Sequence, residues 1–340
     1  MVFKKNVRKI NIFSRIFITT VLFTTTFSSG LVAQEQHFTF SGGPKGGTFQ
    51  FFSGGIATLM SKYIAHTEVV SHASAGSVEN LRRVNAGEAD FGIVYSGDLY
   101  LGANGQLEND TNRYRNTQVV AYMYGAPSHL LVREDSGIQD VAHLVGKRVA
   151  VGAAGSGAAA TARRFFESLG LWNRIQPHYV GYVEGAAALK GRQVDALWIV
   201  STFPNATVSD VASSTKIRLL DLHEASKRGV LSTEHPYYIP VKIPGGTYVG
   251  IAGDVMTFQD SALWVAGRHV SAEVVYEAIG HVYADYGLRF MHATTPSANT
   301  MSVPTALTGV VTTIHRGAQK YWTEKGLNTL FANGNFTGSF

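Results

Sequence analysis

The sequence predicts an α/β protein of two lobes joined by two crossings, with a ligand cleft between the lobes. From His37 onward, short apolar strands alternate with amphipathic helices, which is the pattern of α/β folds. A run of prolines and glycines near 236–246 interrupts this pattern, as a return crossing between lobes would. We therefore expect lobe 1 in 34–126 and 250–340, and lobe 2 in 127–249.

The first 33 residues have the composition of a cleavable secretory signal peptide. Five basic residues lie in 4–15, an apolar stretch runs from Ile16 to Phe27, and small residues lead to cleavage after Ala33. The alternative is an uncleaved membrane anchor, but the apolar stretch is shorter than the roughly 20 residues that cross a bilayer. Removing the leader from the 340 residues leaves about 307, more than one core usually fills. We expect an exported, periplasmic protein.

Charge and cysteine content exclude several classes of function. The chain has 29 Lys and Arg against 24 Asp and Glu, and five of those bases lie in the leader, so the mature chain is balanced at 24 against 24. The basic surface needed for a nucleic-acid partner is therefore not expected. The chain has no cysteine, which excludes disulfides, thiolate catalysis and cysteine metal sites.

The apolar pattern places the elements in order. In lobe 1 it predicts helices that start at Thr48 and Ser77, and strands at 37–40, 68–73, 91–95 and 118–124. In lobe 2 it predicts a helix that ends at Leu169, and strands at 130–132, 148–152, 178–181, 195–200 and 217–220. A strand at 262–265 and one long helix at 272–290 follow.

Three loops share one construction, in which a strand ends, small residues follow and a helix begins. They are Gly42–Thr48, Ser74–Asn80 and Gly152–Ala158. In open α/β sheets, ligands bind beyond the carboxyl ends of strands, where the free N–H groups of a helix start favour a carboxylate or phosphate. Taken alone, each loop is also explained as an ordinary tight turn with a helix N-cap, with no role in ligand binding. The three loops together favour an anion-binding site. Lys45, in the first loop, either faces this site or is an ordinary surface residue.

Other chemistries lack their motifs. The loop 152–157 has the spacing G-x-x-G-x-G, the reverse of the dinucleotide fingerprint, and no G-K-S/T closes the loop before Thr48. No H-E-x-x-H and no G-x-S-x-G occurs. We therefore expect no cofactor, no metal and no catalytic residue. Tyr95 and Phe203 follow strand ends, where each either covers a ligand or joins the core.

The ordered series of motifs resembles the TAXI proteins, the extracytoplasmic solute receptors of tripartite ATP-independent periplasmic (TRAP) transporters. The resemblance covers nearly the whole mature chain. It is carried by Ser41–Thr48, Gly76–Leu81, Asn85–Asp90, Arg133–Ile138, Gly146–Val149, Gly152–Gly157, Asp195–Trp198, Phe203–Asn205 and Ile314–Gly326.

This resemblance implies a type II periplasmic-binding-protein fold with a two-strand hinge, acting as a monomer that captures a ligand without catalysis. It implies glutamate or a related dicarboxylate such as 2-oxoglutarate as ligand, and the integral membrane subunits of a TRAP transporter as partner. The cleft positions of the family correspond here to Gly47, Thr48, Ser77, Asn80, Tyr95, Ser156, Gly157 and Phe203, and Ala158 joins them in the third loop.

The sequence departs from the family pattern in ways that leave the ligand open. Tyr95 stands where many members have Gln, and Ala158–Ala159 stands where many have a polar pair. Both changes make the cleft less polar, so the ligand could be larger or less charged than glutamate. A binding protein of the same fold that serves an ABC importer or a sensor kinase is the main alternative, and a periplasmic enzyme on this fold is the third.

Overall fold

The computed structural model describes residues 1–3, 35–43, 47–235 and 237–329. Most of the predicted signal peptide and Lys45 lie outside the described residues. Within the described part, no helix is both long enough and apolar enough to cross a membrane.

The described residues alternate strands and helices, as the sequence predicts. The strands are β1 (Gln36–Ser41), β2 (Thr67–His72), β3 (Phe91–Tyr95), β4 (Thr117–Arg133), β5 (Arg148–Ala150), β6 (Gln176–His178), β7 (Ala196–Val200), β8 (Ile217–Leu219), β9 (Ile239–Ile243) and β10 (Val255–Gly267). The helices are α1 (Thr48–Tyr63), α2 (Ser77–Ala86), α3 (Ser96–Asn104), α4 (Gly157–Ser168), α5 (Tyr182–Lys190), α6 (Ala206–Ser214), α7 (Leu222–Lys227), α8 (Leu231–Glu234), α9 (Ala272–Val282), α10 (Asp285–Thr294) and α11 (Arg316–Glu324).

One mixed sheet runs through the protein in the order β2-β1-β3-β10-β4-β7-β5-β6, with β8 beside β4 and β9 beside β10. The outer strands pair in parallel, β2 and β3 with β1, and β6 and β7 with β5. The two central strands, β4 and β10, are antiparallel to each other and to their outer neighbours. We call the β1–β3 side lobe 1 and the β5–β8 side lobe 2.

The strand β4 is longer than expected. The sequence predicts two separate strands, 118–124 and 130–132, but β4 is continuous from Thr117 to Arg133. It pairs with β10 as far as Pro127 and with β7 from Ser128 onward. Proline is tolerated at such a point because it lies where the strand changes partner. The strand predicted at 262–265 likewise extends over the whole of β10.

The helix predicted at 272–290 is in fact two helices, α9 and α10. The chain turns at 283–284, and Gly287 in α10 packs directly on the end of α9. A Cβ there would lie 2.0 Å from the carbonyl oxygen of His281. The periodicity of apolar residues continues through this turn, so the sequence pattern did not reveal it.

Two glycines in helices provide a test of this packing. Gly54 in α1 has open space around its Cβ position, whereas Gly287 does not. We expect Gly54→Ala to raise the free energy of unfolding by about 0.5–1 kcal/mol, because alanine favours the helix. Gly287→Ala should lower it by about 1–3 kcal/mol through overpacking. Urea unfolding measures both, and a gain in stability from Gly287→Ala would contradict the close packing of α9 and α10.

Candidate functional site in the interlobe groove

A buried asparagine holds the predicted loops of lobe 1 together. Asn80 is fully buried, and its amide group donates to the carbonyl oxygens of Gly42 (2.8 Å) and Ile93 (2.8 Å). Its side-chain oxygen accepts from the hydroxyls of Ser41 (2.7 Å) and Ser74 (2.6 Å). These four bonds use both donors and both lone pairs of the amide. Asn80 therefore positions the ends of β1, β2 and β3, and has no bond left for a ligand in this conformation.

The other predicted residues of lobe 1 form a buried hydroxyl and aromatic cluster. The Ser77 hydroxyl accepts from the N–H of Tyr95 at 2.8 Å. The ring of Phe49 packs on both Tyr95 and Tyr124, with centroids 5.0 Å and 6.3 Å away. Burial raises the pKa of both phenols well above the ordinary value, so both remain neutral. Gly47 precedes this cluster as the N-cap of α1.

The start of α4 in lobe 2 lies against this cluster. A Cβ on Gly157 would lie 2.6 Å from Cδ2 of Tyr95 and 3.3 Å from Oδ2 of Asp98, so only glycine allows the two lobes to approach this closely. Ser156 caps α4 by accepting from the N–H of Ala159 at 3.1 Å. Ala158 is buried. The structure therefore brings Tyr95, the last residue of β3 in lobe 1, next to the third predicted loop.

The loop that holds Phe203 is set by a different network, on the far side of β7. The Tyr248 hydroxyl accepts from the N–H of Asn205 (2.9 Å) and bonds to Nε2 of His129 (3.0 Å). Nδ1 of His129 lies 3.1 Å from the carbonyl oxygen of Pro127. Burial lowers the pKa of His129 to about 4, so the ring is neutral and Tyr248 donates to it. Phe203 itself is half-buried and packs against the apolar cluster that contains Val208 and Tyr248.

A groove of about 860 Å³ opens between the two lobes beside these loops. Ser156, at the start of α4, is the residue that the groove shares with the predicted site. Lobe 1 contributes Val78, Arg82, Leu101 and Glu108, and lobe 2 contributes Gly155, Ser156, Ala160, Arg163, Arg164, Tyr179 and His235. Its volume lies within the range of pockets for small metabolites, about 300–1,000 Å³.

Two neighbouring arginines of α4 reach across the groove to acidic residues of lobe 1. Arg163 pairs with Glu108, and with Glu167 on its own helix at 2.7 Å. Arg164 pairs with Asp98 of α3. The first pair is partly exposed, whereas the Arg164 side chain is 11% exposed and that of Asp98 only 1%. The floor of the groove is therefore a buried ion pair between the lobes.

A second buried carboxylate lies behind this pair. Oδ1 of Asp260 accepts from the N–H groups of Gly97 (3.2 Å) and Ser261 (2.8 Å). Oδ2 of Asp260 and Oδ2 of Asp98 have no hydrogen-bond partner within the described part of the chain. Burial, together with the charge of Asp98, raises the pKa of Asp260 to about 7 although Arg164 opposes the shift. A second carboxylate thus lies near the Arg164–Asp98 pair without bonding to its guanidinium within the described residues, and Asp260 holds a proton over much of the acidic range.

Sequence reasoning missed Asp98, Arg164 and Asp260. Asp98 and Arg164 are 66 residues apart, and nothing in the local pattern pairs them. Asp260 did carry a signal, because a carboxylate close to the apolar run Ala262–Ala266 is rarely left without a special environment.

Comparison with protein families identifies the family of this chain. A model of the NMT1-like family matches residues 40–326. The chain belongs to the NMT1-like family.

Solved structures define the fold of this NMT1-like protein. MatC from Rhodopseudomonas palustris, solved with bound malate, is 14% identical and has a TM-score of 0.50 over 87% of this chain and 97% of MatC. The alkanesulfonate-binding protein SsuA from Xanthomonas axonopodis pv. citri, bound to MOPS, is 18% identical and has a TM-score of 0.44 over 78% of this chain and 81% of SsuA. SsuA from Escherichia coli, a periplasmic aliphatic sulphonate-binding protein, is 16% identical and has a TM-score of 0.42 over 76% and 78%. The expected two-lobed periplasmic-binding-protein fold is confirmed.

The adjacent arginines of α4 give a matched test of the interlobe ion pairs. Arg164→Gln should lower the free energy of unfolding by about 3–5 kcal/mol, because it leaves Asp98 buried and uncompensated. Arg163→Gln should cost less than about 1 kcal/mol, because its partners are exposed to water. Chemical denaturation measures both losses. The double variant Arg164→Gln/Asp98→Asn should recover much of the stability, and equal losses for the two single variants would contradict the burial of Arg164.

The raised pKa of Asp260 predicts a dependence of stability on pH. In the unfolded chain an aspartate releases its proton near pH 4, whereas the folded protein retains it to about pH 7. The folded state therefore binds more protons between pH 4 and 7, and the free energy of unfolding falls as the pH rises through this window.

Asp260→Asn should remove this decrease in the free energy of unfolding between pH 4 and 7, which is on the order of 2–4 kcal/mol, because the amide mimics the protonated acid. Unfolding followed by circular dichroism from pH 4 to 8 measures it, with the exposed Asp285→Asn as control. An Asp260→Asn variant that keeps the full fall between pH 4 and 7 would assign the pH dependence to other groups.

Proposed function

We propose that this NMT1-like protein is exported to the periplasm, where it binds a small organic anion between its lobes and delivers it to a membrane transporter. The observation that carries this proposal is the interlobe groove, whose two walls come from different lobes and which opens at the start of α4. In a fold of this class, a ligand in such a groove contacts both lobes and so favours their closed arrangement. We take lobe 1 as 34–126 with 250–340 and lobe 2 as 127–249.

The start of α4 and its arginines favour a carboxylate as the ligand group. Ser156 has its hydroxyl at the helix start, where backbone N–H groups and the helix dipole favour an anion. Within the described residues, the carboxylates that Arg163 binds are partly exposed, and its guanidinium also lies over the ring of Trp172. Such pairs contribute little, so a ligand carboxylate can replace Glu108 or Glu167 at low cost.

We propose glutamate or a related dicarboxylate such as 2-oxoglutarate as the ligand, in keeping with the resemblance to TAXI receptors. MatC, which shares the fold, was solved with malate, so malate belongs in the same test. Tyr95 and Ala158 are buried and are not among the residues that line the groove, so the departures from the family pattern at these two positions do not argue against a dicarboxylate. Among the residues predicted from the sequence, Ser156 lines the groove directly. We propose that Gly47, Thr48, Ser77, Asn80, Gly157 and Phe203 act indirectly, by positioning the loops of the two lobes.

We propose the integral membrane subunits of a TRAP transporter as the partner, and no catalytic role for the protein. Co-reconstitution with such subunits in proteoliposomes should give uptake of the bound acid that depends on an ion gradient. Uptake that instead requires ATP hydrolysis by an ABC importer would overturn the choice of transporter and leave the binding function intact.

Ligand binding is tested by thermal unfolding of the purified protein with glutamate, 2-oxoglutarate and malate. A ligand that binds only the folded state adds about 2.7 kcal/mol at a hundredfold excess over its dissociation constant. Ala160→Phe places a ring in the groove and should abolish this stabilisation.

The matched control is Ala187→Phe, which adds the same ring at an exposed position on α5. The control should respond to ligand as the unchanged protein does. Absence of any stabilisation across the acids at saturating concentration would overturn the proposed ligand class. An undiminished response in Ala160→Phe would place the ligand outside the groove.

A further inference from the structure

A second, smaller pocket lies at the other end of lobe 1, away from the groove. It has a volume of about 270 Å³ and is lined by Gln118, Arg268, Ile314, Arg316 and Gln319. Gln118 and Arg268 lie near Phe91, at the amino end of β3, whereas the groove opens beyond the carboxyl end of that strand. The two pockets share no lining residue. We propose that this pocket is a site for a small oxyanion of the phosphate type.

The first argument is charge. Two arginines face the pocket and no carboxylate lines it. Neither Arg268 nor Arg316 forms an ion pair within the described residues, and these include all 24 acidic side chains of the chain. The neighbouring Asp90 is already held by the N–H and hydroxyl of Thr39 and by His269. The positive charge of the pocket is therefore not neutralised by the protein itself.

The second argument is the arrangement of donors. Arg316 is the first residue of α11, and Gln319 lies one turn further on the same face. His315 caps this helix by accepting from the N–H of Gly317, and burial lowers the pKa of His315 to about 4, so that the ring is a neutral acceptor. The helix dipole then adds to the field of the two guanidinium groups. Gln118 and Gln319 supply neutral N–H donors beside them.

The third argument is size. The pocket is below the range that encloses a typical metabolite, about 300–1,000 Å³, so it suits an ion or a single head group. Guanidinium groups match oxyanions with paired N–H donors, and two of them favour a dianion over a monocarboxylate. Both arginines are exposed, so the anion enters directly from solvent. Free phosphate and the phosphate of a lipid head group share this chemistry.

The experiment titrates the purified protein with inorganic phosphate by calorimetry, at constant ionic strength with chloride as the competing anion. The unchanged protein should bind phosphate, and Arg268→Gln and Arg316→Gln should each weaken binding at least about tenfold, as expected for the loss of a charge-assisted bond. Arg289→Gln is the matched control, because it removes one exposed, unpaired arginine from α10. Ser156→Ala controls for phosphate binding in the groove.

A second arm uses flotation with vesicles of phosphatidylglycerol or of phosphatidylcholine. Phosphate binding that is lost in both pocket variants and kept in both controls supports a site for the free ion. Flotation with phosphatidylglycerol alone, lost in the same two variants, supports a head group as the source of the phosphate. If neither probe binds, or if Arg289→Gln weakens binding as much as the pocket variants do, the proposal is overturned.

Discussion

The pairing of β4 with β10 is the constraint on which the rest of the structure depends. Both strands lie in the middle of the sheet. The strands of lobe 1 follow on the β10 side, and those of lobe 2 follow on the β4 side. Tyr95, at the end of β3, pairs beside Ala262 of β10, and Val200, at the end of β7, pairs beside Ser128 of β4. The carboxyl ends of β3 and β7 therefore lie beside the middle of the two central strands. The helices that follow these ends start in the same region. The groove is a consequence of this topology.

The contact between the lobes is unusual in being built on charge. Asp98 and Arg164 form a buried pair, and Asp260 adds a second carboxylate beside the same guanidinium. A purely apolar contact would be costly to expose when the lobes separate, whereas separated charges are solvated by water. Asp98 and Arg164 therefore join the lobes through charge, and protonation of Asp260 relieves the surplus of negative charge beside them.

Small residues decide how closely the lobes approach. Gly157 leaves space for the ring of Tyr95, and Gly97 leaves space for Tyr237 and for the carboxylate of Asp260. The same α4 that packs through Gly157 presents Ser156, Ala160 and Arg163 to the groove. One helix therefore contributes to the lobe contact at its first turn and to the groove along its length.

Local patterns in the sequence established the α/β class, most strands, the helix starts at Thr48 and Ser77, and the loop before Gly157. These features depend on neighbours within a few residues, through apolar periodicity and turn-forming residues. They also predicted a strand that ends at Tyr124 and one helix over 272–290, both wrong, because the partner strands of β4 and the close packing of Gly287 are distant in sequence. For the same reason Asn80, predicted as a ligand contact, proved to have every hydrogen bond taken by residues up to 39 positions away. Folding alone brought Asp98, Arg164 and Asp260 together, since burial and the charge of a distant residue set the state of each group.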